Sequence, residues 1–169
     1  LNTPETPVYR KGEVLYNLQR AKGAVTKTGE IFLVEGYTDV IAMSRAGVPN
    51  AVATCGTALG EGHFRLASRF AQRMVLAFDS DDAGARAAER AFEFVERFPV
   101  QPVVLILPEG LDPADFVGQH GGERLRELAA GAVPLVEYMV RRMVGRHDLS
   151  TIEGQSAAVA AAVPLLEQL

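Results

Sequence analysis

An α/β domain built on a mostly parallel sheet is the fold class this sequence predicts, and three observations carry the prediction. Four short runs, residues 31–34, 51–54, 74–78 and 103–107, are apolar throughout and alternate with segments of helical periodicity. Unbroken apolar runs of this length mark strands covered on both faces, the environment of a parallel sheet flanked by helices. Three of the runs lead into an acid-bearing turn, at Glu35-Gly36, at Asp79-Ser80-Asp81-Asp82 and at Asp112-Pro113. Right-handed crossovers put all carboxyl ends of parallel strands on one edge, where open α/β sheets bind their ligands. About four strands are expected within an α/β unit spanning residues 31–118, with a connecting segment before it (1–30) and a small helical subdomain after it (119–169).

Taking the elements in order, Asn2 to Pro7 is turn-like, and Val14, Leu15, Leu18 and Ala21 share one face of a short helix. Residues 22–30 are polar and glycine-punctuated, which predicts a connection. After the first strand, Thr38 is a candidate cap for a helix over 39–46 that stops at Gly47. The second strand is followed by a loop with Gly56, Gly60 and Gly62, and then a helix over about 63–73. Arg65, Arg69 and Arg73 fall on the outer side of that helix at four-residue spacing, either as an ordinary solvated face or as a stripe for phosphates. A helix over 83–98 follows the acidic turn, and Pro99 to Pro102 breaks it. Beyond Asp115, a short helix ends at His120-Gly121-Gly122, a second covers 123–130, and a third covers 133–144 with Leu135, Met139 and Met143 inward. Ser150-Thr151-Ile152-Glu153 reads as a capping box for an alanine-rich last helix that Pro164 kinks.

Composition bounds the function. With 169 residues the chain can hold one core and a small appendage. No apolar run approaches the roughly 18 residues of a membrane span, and no signal peptide pattern opens the chain, so a cytoplasmic protein is expected. The lone Cys55 excludes an internal disulfide and a Cys-rich zinc site. The chain begins at Leu1 rather than Met, which reads as a processed or cut piece. A net charge of −4 weighs against a nucleic-acid partner, although acids that bind a metal lower the sum while the ion restores positive charge locally.

The acidic turn has two readings. Asp79 and Asp81, two residues apart in an extended turn, place their carboxylates on one side at a Cα separation of about 6 to 7 Å, suited to one hard divalent cation and its phosphate ligands. The alternative is a loop of solvated acids beside a helix N-terminus. Glu35, Asp79, Asp81 and Asp112 on one sheet edge would repel one another without a cation, which favours a metal. An EF-hand is excluded, because Arg90 stands where a bidentate Glu is required. A haloacid-dehalogenase-type phosphotransferase also presents an Asp-x-Asp after an apolar strand, but no Thr or Val stands two residues after Asp81 and the pair comes late in the chain. No Walker loop or dinucleotide fingerprint occurs, and His63, His120 and His147 read as surface or capping residues.

Glu35-Gly36-Tyr37-Thr38-Asp39-Val40, then Asp79-Ser80-Asp81-Asp82-Ala83-Gly84, then Asp112-Pro113 together resemble the Toprim domain of primases, topoisomerases and some nucleases. Asn2-Thr3-Pro4-Glu5-Thr6, Arg10-Lys11-Gly12 with Leu15-Tyr16, Gly56-Thr57-Ala58 and Asp148-Leu149-Ser150 extend the resemblance to the RNA-polymerase domain of bacterial DnaG-type primases, over essentially the whole chain. The resemblance implies a Toprim-like fold and a DNA-directed RNA polymerase that makes short primers from ribonucleoside triphosphates on single-stranded DNA with Mg2+ or Mn2+. It implies Glu35, Asp79 and Asp81 as catalytic residues, the metal held by these three with Asp39 and Asp112, and Lys11 as a nucleotide or nucleic-acid contact. The family often shows Asp-Pro-Asp where this chain has Asp112-Pro113-Ala114, so either the second acid is dispensable or Asp115 reaches in from the next turn as a further metal acid. The family's zinc module, its basic template-cradling subdomain and its helicase-binding region are expected to lie outside this chain, and the piece is expected not to prime alone. Another Toprim enzyme of topoisomerase or nuclease type, or a non-catalytic metal-binding docking module, stands as the alternative.

Overall fold

The computed structural model describes residues 4–7, 9–54, 56–78, 82–108 and 110–167, with residues 82 and 83 described by their backbone alone. Asp79 and Asp81 lie outside the described residues. Among the described residues the sheet has five strands in the order β2-β1-β3-β4-β5, where β1 is Glu30–Val34, β2 Ala51–Ala53, β3 Arg73–Leu76, β4 Gln101–Val104 and β5 Val133–Pro134. The first four are mutually parallel and β5 runs antiparallel to β4.

The apolar runs are unbroken because each strand is covered twice. Ile31, Leu33, Met74 and Leu76 face one core with Phe64, Ala88 and Ala91, whereas Phe32, Val34, Val75 and Ala77 face a second core with Val40, Met43, Phe116 and Leu125. Helices α1 (Leu18–Thr28), α3 (Glu61–Ala67), α4 (Asp82–Phe92) and α6 (Leu135–Val144) supply the first layer, and α2 (Tyr37–Arg45) and α5 (Pro113–Ala130) supply the second. The last helix, α7 (Ile152–Leu166), adds Leu165 to the first core.

The structure corrects several expected elements. The segment expected as a polar connection is largely helical, because α1 runs to Thr28 with Ala21 and Val25 fully buried, and burial of those two side chains outweighs the cost of Gly23 in the helix. Gly36 rather than Thr38 caps α2. Helix α3 ends at Ala67, so the predicted arginine stripe does not exist: Arg73 opens β3, where its guanidinium pairs with the Glu30 carboxylate and donates a 2.7 Å hydrogen bond to the Ala129 carbonyl. Helix α4 stops at Phe92, before the expected residue 98, and turns follow. Strand β5 occupies the start of the segment predicted as a helix over 133–144; it has two residues and Pro134 has no amide to donate, so it belongs at a sheet edge.

Other expectations hold. The predicted break between two helices near residue 121 is present, since Gly121 interrupts α5 with φ 79° and ψ 163°. The last helix begins at Ile152, but its cap is Thr151, whose hydroxyl accepts from the Gly154 amide at 3.0 Å, while Ser150 bonds back to Asp148. Those two bonds from Ser150 hold the exposed Asp148 carboxyl below its ordinary pKa.

Candidate functional site

The order β2-β1-β3-β4 places a reversal of direction at the β1/β3 boundary. From β1 the chain steps to one side to form β2, then crosses back to form β3 on the other side of β1. The connections after β1 and β3 therefore diverge, and a crevice opens beyond their carboxyl ends, the usual ligand position in such sheets. Register brings those ends level, with Leu33 opposite Leu76 and the Ala77 amide donating to the Leu33 carbonyl at 2.9 Å.

Glu35, the first residue after β1, lines this crevice, which has a volume of about 490 Å³. Thr54 and the loop Gly56 to Leu59, after β2, Phe78, after β3, and Arg86 and Arg90 on α4 line it too. The lining thus includes a carboxylate and two guanidinium groups. Sequence reasoning passed over Arg86 and Arg90, although their spacing of four on the helix after the acidic turn puts them on one face.

The two further acids are anchored by helix capping. Asp39 is 8% exposed, and its Oδ2 accepts from the Gly36 amide at 3.1 Å, the third-position carboxylate of α2 reaching back to the cap residue. Asp112 caps α5, its Oδ1 accepting from the Asp115 amide at 2.7 Å, and Asp115 itself is exposed on the first turn. Capping engages one oxygen of a group that has two, so it is compatible with ligation. Neither residue lines the crevice with Glu35, and among the described residues no three His, Cys, Asp or Glu side chains gather into a metal-binding group. The expected cluster therefore turns on Asp79 and Asp81, outside the described residues.

Lys11 stands in a short 3-10 turn, Lys11–Glu13, beside α3. The Lys11 amide donates to the Glu5 carboxylate at 2.8 Å, and its carbonyl meets His63 Nε2 at 3.1 Å. His63 caps α3 by accepting from the Gly60 amide at Nδ1, 3.1 Å away, and it is fully buried rather than at the surface. Since Nδ1 accepts, Nε2 carries the proton and donates to Lys11. Burial lowers the His63 pKa, partly offset by the bond to the Lys11 carbonyl. The turn and the helix touch so closely that a Cβ on Gly62 would fall 2.1 Å from the Gly12 carbonyl oxygen.

Comparison with known proteins agrees with this architecture. The Toprim domain family model matches residues 29–105, and the model of the DnaB-helicase binding domain of primase matches residues 136–169. The chain is 40% identical over 174 residues to the DNA primase of Streptomyces coelicolor, with 100% of this chain and 27% of that protein covered. It is 42% identical over 176 residues to the DNA primase of Mycolicibacterium smegmatis, of which it covers 28%. The RNA polymerase domain of Mycobacterium tuberculosis primase DnaG superposes with a TM-score of 0.87 at 37% identity, over 100% of this chain and 55% of that one. A DnaG primase catalytic domain solved bound to ssDNA superposes with a TM-score of 0.86 at 32% identity, over 100% of this chain and 56% of that one.

The chain thus spans little more than a quarter of the relatives' length. The match over residues 136–169 corrects the expectation that a helicase-binding region lies wholly outside it. With its sheet order, its crevice at the β1/β3 boundary and these similarities, the chain has the Toprim fold and is similar over its whole length to bacterial DnaG-type primases.

Proposed function

We propose that this chain is the catalytic core of a primase, a DNA-directed RNA polymerase that makes short RNA primers on a single-stranded DNA template by metal-dependent nucleotidyl transfer. The observation that carries the reading is Glu35 lining a nucleotide-sized crevice, at the point where the parallel sheet reverses its winding. The alternatives of topoisomerase or nuclease type draw no support from the Streptomyces coelicolor and Mycolicibacterium smegmatis relatives, DNA primases that match the full chain.

In this reading Glu35, Asp79 and Asp81 are the catalytic acids, and together with Asp39 and Asp112 they hold Mg2+ or Mn2+. The donor chemistry fits, since all are carboxylates and hard divalent cations take oxygen ligands. When bound, the metal supplies Lewis-acid stabilisation of the triphosphate and the leaving pyrophosphate. Glu35 serves as base or ligand for the attacking hydroxyl, while the caps on Asp39 and Asp112 fix the directions of their carboxylates. Asp115 stands one turn on, exposed, and is the candidate further acid in place of Ala114. Lys11 contacts nucleotide or template from the turn seated on α3.

We assign residues 31–118 as the Toprim unit, residues 1–30 as the connection to a preceding subdomain, and residues 119–169 as the helical extension, which begins beside the break at Gly121. Docking of the replicative helicase belongs to that extension, in α6 and α7, where the helicase-binding family model matches. The test is Glu35→Gln in the full-length protein. Primer synthesis is expected to fall by about 100-fold or more with single-strand binding and thermal stability retained, and synthesis at the wild-type rate would sink the reading.

A further inference from the structure

The crevice carries a second chemistry besides its carboxylate. We infer that Arg86 and Arg90 form a phosphate clamp that engages the triphosphate of the incoming ribonucleotide. The inference rests on the polymerase reading and assigns to that site two residues that the motif acids do not include.

Both side chains are exposed and line the crevice with Glu35, Thr54 and Thr57. A spacing of four puts them on one face of α4, with Cβ atoms about 6 Å apart, a span that two guanidinium groups can close on neighbouring phosphate oxygens. The remainder of α4 explains why they are held there. Ala87, Ala88, Ala91 and Phe92 are buried, so the small residues seat the helix against the core and leave the arginines at the rim.

An arginine on a helix can pair with a glutamate three or four positions away. Glu89 stands three residues after Arg86 and Glu93 three after Arg90, yet among the described residues neither arginine makes an ion pair or side-chain hydrogen bond. Glu89 instead reaches Arg146 at 3.7 Å. Two cations without an ion pair among the described residues, lining the same crevice as a carboxylate, fit an anion that arrives with its own divalent cation, the cation meeting the acid and the phosphates meeting the arginines. A volume of about 490 Å³ suits one nucleotide.

The test uses the full-length protein with Arg86→Ala/Arg90→Ala and with Arg86→Lys/Arg90→Lys. Calorimetric titration with ATP in Mg2+ and anisotropy of a labelled single-stranded DNA are the two arms. The alanine pair is expected to raise the Kd for ATP about tenfold, to leave affinity for adenosine and for the single strand within twofold, and to be partly rescued by the lysine pair. An unchanged Kd for ATP would overturn the inference, and so would a loss of single-strand affinity as large as the loss for ATP, which would assign the clamp to template phosphates. Thermal denaturation of both variants reads out folding directly. If wild-type protein binds no ATP, the polymerase reading itself fails; if it binds ATP and the alanine pair binds it with the same Kd, the clamp alone fails.

Discussion

His63 Nε2 donates a 3.1 Å hydrogen bond to the carbonyl of Lys11, and through it a fully buried imidazole ties the turn that carries Lys11 to the start of α3. The other ring nitrogen accepts from the Gly60 amide, so the ring must be neutral for both bonds to exist.

This predicts a stability that falls with acid. Burial depresses the folded-state pKa of His63 below its ordinary value of 6.5, so the unfolded chain takes up the proton first. The contribution is fully present above pH 6.5 and is lost as pH falls from there through the folded pKa. Urea denaturation at a series of pH values from 7.5 to 5 checks the sign. His63→Phe should flatten the dependence, and it should cost roughly 1 to 3 kcal/mol at pH 7.5 by orphaning the Lys11 carbonyl and the Gly60 amide.

Two glycine substitutions should act in opposite directions. Gly62→Ala places a Cβ 2.1 Å from the Gly12 carbonyl oxygen, which forces the Lys11 turn off α3; a loss of roughly 1 to 3 kcal/mol is expected. Gly23→Ala meets nothing within 4 Å in the interior of α1 and should stabilise by about 0.5 to 1 kcal/mol. Thermal melts of the two variants decide both signs.

Arg73 links two sheet strands and a helix, through the Glu30 carboxylate and the Ala129 carbonyl, and its side chain is 29% exposed. Arg73→Ala should therefore cost roughly 1 to 3 kcal/mol. Arg65 pairs with Glu61 on an exposed helix face, with side chains 52% and 48% exposed, and Arg65→Ala should stay within about 0.5 kcal/mol. Equal effects in denaturant titrations would contradict this ranking.

For the proposed metal site, calorimetric titration of the chain with Mg2+ and Mn2+ should give saturable binding that Asp79→Asn abolishes with the fold intact. The isolated chain is expected to make no primer on a single-stranded template under conditions where the full-length protein does. Primer synthesis by the isolated chain would overturn that expectation.

The fold class and the sheet edge at which the crevice opens were legible in the sequence because both rest on local patterns. Strands β1 to β3 read as unbroken apolar runs since helices cover each of them on both faces, whereas the fourth run, expected over 103–107, is strand only at 103–104, because β4 is Gln101–Val104 and starts in the segment expected as a break. Glu35 read as a site residue because a turn after a parallel strand can only open at the carboxyl edge, and the crevice is there. The break at Gly121 was visible as paired glycines. What only the tertiary structure decided depends on partners far apart in the chain. Strand β5 is two residues that become a strand by pairing with Val103 and Val104. Residues 22–28 are helical because Val25 is buried in the core, whatever Gly23 prefers. Arg73 leaves the predicted stripe for a glutamate 43 positions away, and His63 is buried by a carbonyl 52 positions away. Arg86 and Arg90 come to line the crevice with Glu35 only in the folded chain. Periodicity records which side of an element is buried, while the identity of what lies opposite is set by chain crossings that no local window contains.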